Sequence, residues 1–136
     1  MTAKILLVDD EDRVLDILAC MFKEIGWDVA TAATPAEALR LVSEEPFRMA
    51  FVDNYLGSME GMDLIEQLRK ADPNLQFVIM TSNPNIATAI NAIKKGVADF
   101  LRKPFRFEDL LVSIEHVNRK IELERQKQDL HRRLSR

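Results

Sequence analysis

MAFVDNYLGSMEGMDLI, residues 49–65, runs from an apolar tetrapeptide straight into a carboxylate, then through a short loop into a second apolar pattern. Residues 49–52 are apolar throughout and end at a charge, as expected of a strand buried on both faces. Leu64, Ile65 and Leu68 then recur at helical spacing. The stretch predicts a strand–loop–helix unit with Asp53 at its turn and residues 54–60 as the loop.

The same unit recurs outward in both directions. On the N-terminal side, Lys4–Val8 (KILLV) is a strand that stops at Asp9-Asp10. Val14, Leu18, Met21 and Ile25, widened by Leu15 and Phe22, form a helix that Gly26 ends. Residues 27–31 read as a second strand. Thr34-Pro35-Ala36-Glu37 reads as a capping box with proline at the first helical position, ahead of Ala38, Leu41 and Val42. On the C-terminal side, residues 77–80 (FVIM) are a fourth strand ending at Thr81-Ser82. Asn83-Pro84 reads as the start of a helix carrying Ile86, Ile90 and Ile93. Residues 98–101 are a short fifth strand, Lys103-Pro104 follows, and a final helix begins near Glu108. Five strands alternating with five helices predict an α/β fold, a doubly wound five-stranded parallel sheet.

In such sheets, ligands sit beyond the carboxyl ends of the strands, at a topological switch point. The residues there are Asp9 and Asp10 after the first strand, Asp53 after the third, Thr81 after the fourth and Lys103 after the fifth. An aspartate after a strand is commonly a turn or cap residue, and Asp12 reads as no more than a first-turn charge. Five polar groups at successive strand ends are harder to assign to capping. Three carboxylates repel one another unless a cation lies among them. An all-oxygen set with room for water favours Mg2+. A divalent cation and an ammonium suit a phosphoryl group. Asp53 is then the nucleophile and Thr81 a hydrogen-bond donor to a phosphoryl oxygen.

The 136 residues suit one domain. No stretch approaches the roughly 18 apolar residues of a membrane span, and the N-terminus lacks a secretion pattern, so a cytoplasmic protein is expected. Cys20, the one cysteine, excludes an intrachain disulfide and reads as a small buried hydrophobe. His116 and His131 have no zinc-like spacing. The net charge of −3 is uneven: residues 1–118 hold 12 Lys/Arg against 19 Asp/Glu, and residues 119–136 hold 7 against 3. An acidic body argues against direct nucleic-acid binding.

ILLVDDE, MAFVDNYLGSMEGMDLI, VIMTS and ADFLRKPF, in that order, resemble the receiver domain of two-component response regulators over about residues 3–120. The resemblance implies a flavodoxin-like strand order of 2-1-3-4-5 with an extended last helix. It implies that Asp53 accepts phosphate from a sensor histidine kinase. It implies that Asp10, Asp53 and the backbone carbonyl of Tyr55 hold Mg2+, with Asp9 acting partly through water. Thr81 and Lys103 would contact the phosphoryl group, and Phe100 falls at the aromatic switch position. The Lys-Pro bond is commonly cis in this family. Departures include Leu56-Gly57 where the family usually has Met-Pro, Glu60 before Gly61, Ser82 beside the threonine, and phenylalanine at position 100. None removes a reactive group. Tyr55 and Asn83 stand where the family tunes phosphate lifetime, and we expect the Tyr55 ring to restrict the attacking water.

Three other functions share part of this pattern. A phosphohydrolase of the haloacid-dehalogenase type places a second aspartate two residues after its nucleophile, where this chain has Tyr55. A flavodoxin-like electron carrier wants a hydroxyl- and glycine-rich phosphate loop after the first strand, where this chain has Asp9-Asp10-Glu11. A stand-alone receiver acting through protein–protein contacts is the nearest rival.

The last helix faces two ways. Leu110, Ile114, Val117 and Ile121 form the stripe expected on the sheet. Leu123, Leu130 and Leu134 lie on the opposite side, near Val112. We expect residues 1–121 to form the receiver and 122–136 a helical extension that pairs with a second copy. Similar extensions join receivers to ATPase domains in enhancer-binding activators of the nitrogen-regulatory type, and residues 87–105 resemble that subgroup. A homodimer through this helix, or through the face of the fourth helix, fifth strand and fifth helix, is expected, with transcriptional control as the output.

Overall fold

The computed structural model describes residues 4–135. Its strands are β1 (Lys4–Val8), β2 (Asp28–Ala32), β3 (Met49–Asp53), β4 (Gln76–Thr81) and β5 (Asp99–Arg102). Its helices are α1 (Asp12–Ile25), α2 (Pro35–Glu44), α3 (Gly61–Ala71), α4 (Ile86–Lys94) and α5 (Phe107–Leu134). The strands form one parallel sheet in the order β2-β1-β3-β4-β5. The doubly wound architecture and strand order are those expected.

Alternation along each strand divides the core. Leu6, Val8, Ala50, Val52, Phe77 and Ile79 pack with Ala38 and Val42 of α2, Leu64, Ile65 and Leu68 of α3, and Ala92 of α4. Ile5, Leu7, Met49, Phe51, Val78 and Met80 pack with Leu15, Leu18 and Phe22 of α1 and Leu110, Ile114 and Val117 of α5. Phe22 meets Phe51 edge to face at 5.1 Å. Each fully buried leucine or phenylalanine contributes roughly 1.5–3 kcal/mol, so both faces are strongly driven to close over the sheet.

Several boundaries differ from expectation, for local reasons. β2 begins at Asp28 because Trp27 closes α1: the amides of Gly26 and Trp27 return to the carbonyls of Lys23 and Phe22 (both 3.0 Å). Thr34 caps α2 through the Glu37 amide (3.2 Å), but the Glu37 carboxylate reaches Ala33 rather than Thr34. α4 starts at Ile86 with Asn85 as its cap, bonded to the Thr88 amide (2.7 Å), not at Asn83-Pro84. The Asn83 amide is directed instead to the Thr81 hydroxyl (3.2 Å), which makes residues 82–84 a turn off the strand. β5 is shifted one residue to Asp99–Arg102.

Two packing expectations fail. Cys20 is exposed, because two residues beyond Leu18 on a helix is about 200° from the core face. Ile86, Ile90 and Ile93 are exposed as well, and Ala92 is the one fully buried residue of α4. In α5 the inner stripe is buried as expected, with Ile121 partly so, and Leu123, Leu130, Leu134 and Val112 are exposed. The helix runs unbroken through residues 121–122. The Lys103-Pro104 peptide is cis. Among the described residues no helix is long and apolar enough to cross a membrane.

Candidate functional site

Chain connections diverge between β1 and β3, because β2 lies beyond one and β4 beyond the other. Val8 pairs in register with Val52, so Asp9 and Asp53 leave the sheet side by side at that switch point. On the other flank of β3, Asp53 is level with Met80, and Thr81 with Arg102. The Lys103 amide donates to the Thr81 carbonyl (2.7 Å), which carries the ladder one residue further and brings Lys103 to the same edge.

Asp9 is fully buried. Its Oδ1 accepts the Glu11 amide (3.0 Å) and its Oδ2 accepts the Lys103 ammonium (2.5 Å). The same ammonium lies 3.4 Å from Oδ2 of Asp53. Asp10 is exposed. Carboxylate oxygens of Asp9, Asp10 and Asp53 come within 4.8 Å of one another, and among the described residues this is the one such grouping of Asp, Glu, His or Cys. Thr81 is buried, and its hydroxyl and Lys103 border a cavity of about 450 Å³ that opens over Asp53. Phe100 pairs with Ile79 on β4, one step below Thr81 on the same face of the sheet, and is half-buried against the core.

The loop after Asp53 is held from both ends. The Asn54 amide extends the pairing with β4 by donating to the Met80 carbonyl (2.7 Å), and the Gly61 amide donates to the Asn54 carbonyl (2.7 Å). A Cβ at Gly61 would lie 2.2 Å from the Asp53 carbonyl oxygen, so only glycine fits there. Leu56 is buried as the loop's anchor. Gly57 takes a left-handed φ of +80°, at a tip facing Asp10. The Tyr55 hydroxyl donates to the Gly57 carbonyl (3.0 Å), and the residue, 61% exposed, stands at the cavity rim.

Burial, and after it the negative charge of Asp9, push the Asp53 carboxyl up to about 6, although Lys103 pulls the other way. Burial acts to lower the Lys103 ammonium, but its hydrogen bond to Asp9 and the charges of Asp53 and Asp9 outweigh that and raise it. One ammonium among three carboxylates leaves an excess of negative charge. The set is all oxygen, and exposed Asp10 leaves room for water. Such a group is suited to hold a hard divalent cation.

The structure brings together Asp9, Asp10, Asp53, Thr81 and Lys103, all singled out from sequence. Tyr55 lies at the rim and Phe100 one step below. Three contributors escaped sequence reasoning. Gly61 needed the knowledge that a helix start abuts the strand end. The Glu11 amide on Asp9 and the Asn83 amide on Thr81 are backbone groups, which no side-chain motif reveals.

A sheet-edge carboxylate flanked by an ammonium, a hydroxyl and two further carboxylates is the arrangement of a phosphoryl-handling α/β signalling domain. The chain belongs to the response regulator receiver domain family, whose model matches residues 5–115. It is 31% identical over 128 residues to a response regulator of Rickettsia bellii described as NtrX-like, covering 93% of this chain and 27% of that one. It is 40% identical over 101 residues to the alginate biosynthesis transcriptional regulatory protein AlgB of Pseudomonas putida, covering 74% and 22%. It superposes on the crystal structure of NtrX from Brucella abortus in complex with ADP with a TM-score of 0.86 at 32% identity, covering 100% of this chain and 30% of NtrX. The chain therefore spans about a quarter of the length of these relatives.

Proposed function

We propose that Asp53 accepts a phosphoryl group from a sensor histidine kinase and that the modified chain switches a transcriptional output. The observation that carries this reading is the placement of Lys103 3.4 Å from Asp53, with Asp9 and Asp10 alongside. An Asp53 oxygen forms the new P–O bond as the P–N bond of the donor phosphoimidazole breaks; the imidazole nitrogen keeps the electron pair and takes up a proton. Lys103 would turn toward the phosphoryl oxygens, and the Thr81 hydroxyl would donate to one of them. Asp10, Asp53 and the Tyr55 carbonyl would hold Mg2+, with Asp9 behind them. When bound, the ion neutralises the carboxylates and the phosphoryl oxygens.

Thr81 and Phe100 form the switch in this reading. Thr81, drawn toward the phosphoryl group, leaves the Asn83 amide and makes room above Phe100. The face of α4, β5 and α5 then favours its second arrangement, as a population shift. Residues 122–136 serve as a linker, and either that helix or the α4–β5–α5 face pairs two copies. The chain's chemistry ends at its own phosphorylation and dephosphorylation, in the cytoplasm. To test the reading, incubate the chain with acetyl phosphate and follow retained phosphate. Retention that requires Mg2+ and is lost in Asp53→Asn supports it; retention in Asp53→Asn overturns it.

A further inference from the structure

α4 is firmly held at one end only. At its C-terminus Gly96 takes a left-handed φ of +84°. The amides of Gly96 and Val97 return to the carbonyls of Ile93 and Ala92 (3.0 and 3.1 Å). Just past that end, the carbonyls of the cap residue Lys95 and of Gly96 are taken by cations from two other helices. Arg69 of α3 donates Nη1–H to the Lys95 carbonyl. Lys120 of α5 donates Nζ–H to the Gly96 carbonyl (2.5 Å). The Arg69 guanidinium lies 5.5 Å over the Phe77 ring, and Lys95 is paired with Glu66 of α3 at 3.3 Å. Burial, then the Arg69 charge, push the Lys120 ammonium down, and burial pushes the Arg69 guanidinium down. Like charges held together need a negative partner, which the carbonyls and dipole of the helix end supply.

The opposite end lacks such ties. No residue from 82 to 91 is buried, and Ile86, first in the helix, is 79% exposed. Asn85 supplies the one side-chain cap. Yet this end borders the acceptor: Ser82, Asn83, Asn85 and Thr88 line the cavity over Asp53. The end near the chemistry is loose and the far end is fastened to two neighbours.

We propose that Arg69 and Lys120 are positioning residues that pin the C-terminal end of α4 to α3 and α5, so that phosphorylation swings its N-terminal half about that pin. The swing rests on Asp53 being the acceptor; the pin does not. Nine residues span about 13 Å, so a tilt of roughly 10° moves the free end by about 2 Å. The exposed Ile86–Ile90 segment moves with it, while residues 95–97 stay in place.

Amide hydrogen exchange of the whole chain, with and without Mg2+ and beryllofluoride, tests both parts. In wild type, beryllofluoride should change exchange over residues 82–89 about threefold or more and leave residues 92–97 within about twofold. Without the analogue, Lys120→Gln and Arg69→Gln should each raise exchange at residues 95–97 roughly tenfold, the scale of one charge-assisted hydrogen bond. With it, the response should spread into residues 92–97. Lys120→Arg should restore the wild-type pattern. If Arg69→Gln fails to fold because it uncovers Phe77, Lys120→Gln decides alone. Equal wild-type responses at both ends of α4, or unchanged protection at residues 95–97 in Lys120→Gln, would overturn the proposal. A wild type silent to beryllofluoride defeats the acceptor reading and the swing together, whereas the analogue-free exchange still judges the pin.

Discussion

The ammonium of Lys103 lies 2.5 Å from Oδ2 of Asp9, a carboxylate with no solvent exposure, and closes the acidic edge of the sheet. Removing one partner of a buried pair strands the other in a poor solvent. Lys103→Met should therefore lower the stability of the metal-free chain by roughly 2–4 kcal/mol. Asp9→Asn combined with Lys103→Met should lose less than the two single changes added together, because the pair acts as a unit. Urea denaturation of the four proteins measures this, and strict additivity would contradict it.

Asp53 should show the opposite sign. Its folded carboxyl titrates near 6, above the ordinary 3.8. The folded state therefore binds this proton more tightly than the unfolded chain. The resulting stability is fully present below the unfolded value and is lost as pH rises through about 6. Asp53→Asn never ionises, so its advantage over wild type should grow between about pH 4 and 6 and stay flat above. At neutral pH the advantage should reach about 1–3 kcal/mol. Mg2+ at about a hundred times its Kd should return about 2.7 kcal/mol to the wild type. An advantage that shrinks with rising pH in metal-free buffer would contradict the electrostatic account.

Gly61 is a packing requirement of the strand that carries Asp53. A methyl group there would enter the space of the Asp53 carbonyl, 2.2 Å away. Gly61→Ala should destabilise the chain by about 1–3 kcal/mol and slow phosphorylation by acetyl phosphate through displacement of Asp53. A thermal melt together with a phosphorylation time course checks both effects.

Tyr55 stands at the rim of the cavity, its hydroxyl tied to Gly57. Tyr55→Ala should shorten the life of the acyl phosphate roughly 3- to 10-fold, equivalent to about 1 kcal/mol of barrier. Tyr55→Phe keeps the ring and should stay near wild type. An unchanged rate of dephosphorylation in Tyr55→Ala would remove the role of the ring.

Leu123, Leu130 and Leu134 leave an apolar side on α5 that the domain does not cover. Residues 1–136 should sediment as a concentration-dependent dimer, and residues 1–121 as a monomer unless beryllofluoride is added. Two monomers at high micromolar concentration would exclude the helix as a pairing surface.

The strands were legible because a run such as Lys4–Val8, buried on both sides, has no polar alternative to a parallel sheet interior; their order came from the resemblance to receiver domains, since an apolar run does not name its neighbours. The positions of Asp9, Asp53, Thr81 and Lys103 followed, since a strand's end fixes where its next side chain emerges. α4 misled because periodicity reports a stripe, not what lies beneath it. Ile86, Ile90 and Ile93 have helical spacing, yet Ala92 is the fully buried residue. Its true cap, Asn85, was hidden because choosing between Asn83 and Asn85 depends on the Asn83 amide meeting Thr81. The Arg69–Lys120 clamp joins residues 51 positions apart and has no local signature.

The residue that carries the phosphate can be identified chemically. Borohydride reduces an aspartyl phosphate to homoserine. After treatment with phosphodonor and Mg2+, the wild-type chain should contain homoserine at position 53 and nowhere else, and Asp53→Asn should contain none. Homoserine at Asp9, Asp10 or any other aspartate in the wild type, or stable phosphate on a different residue type, would contradict the account.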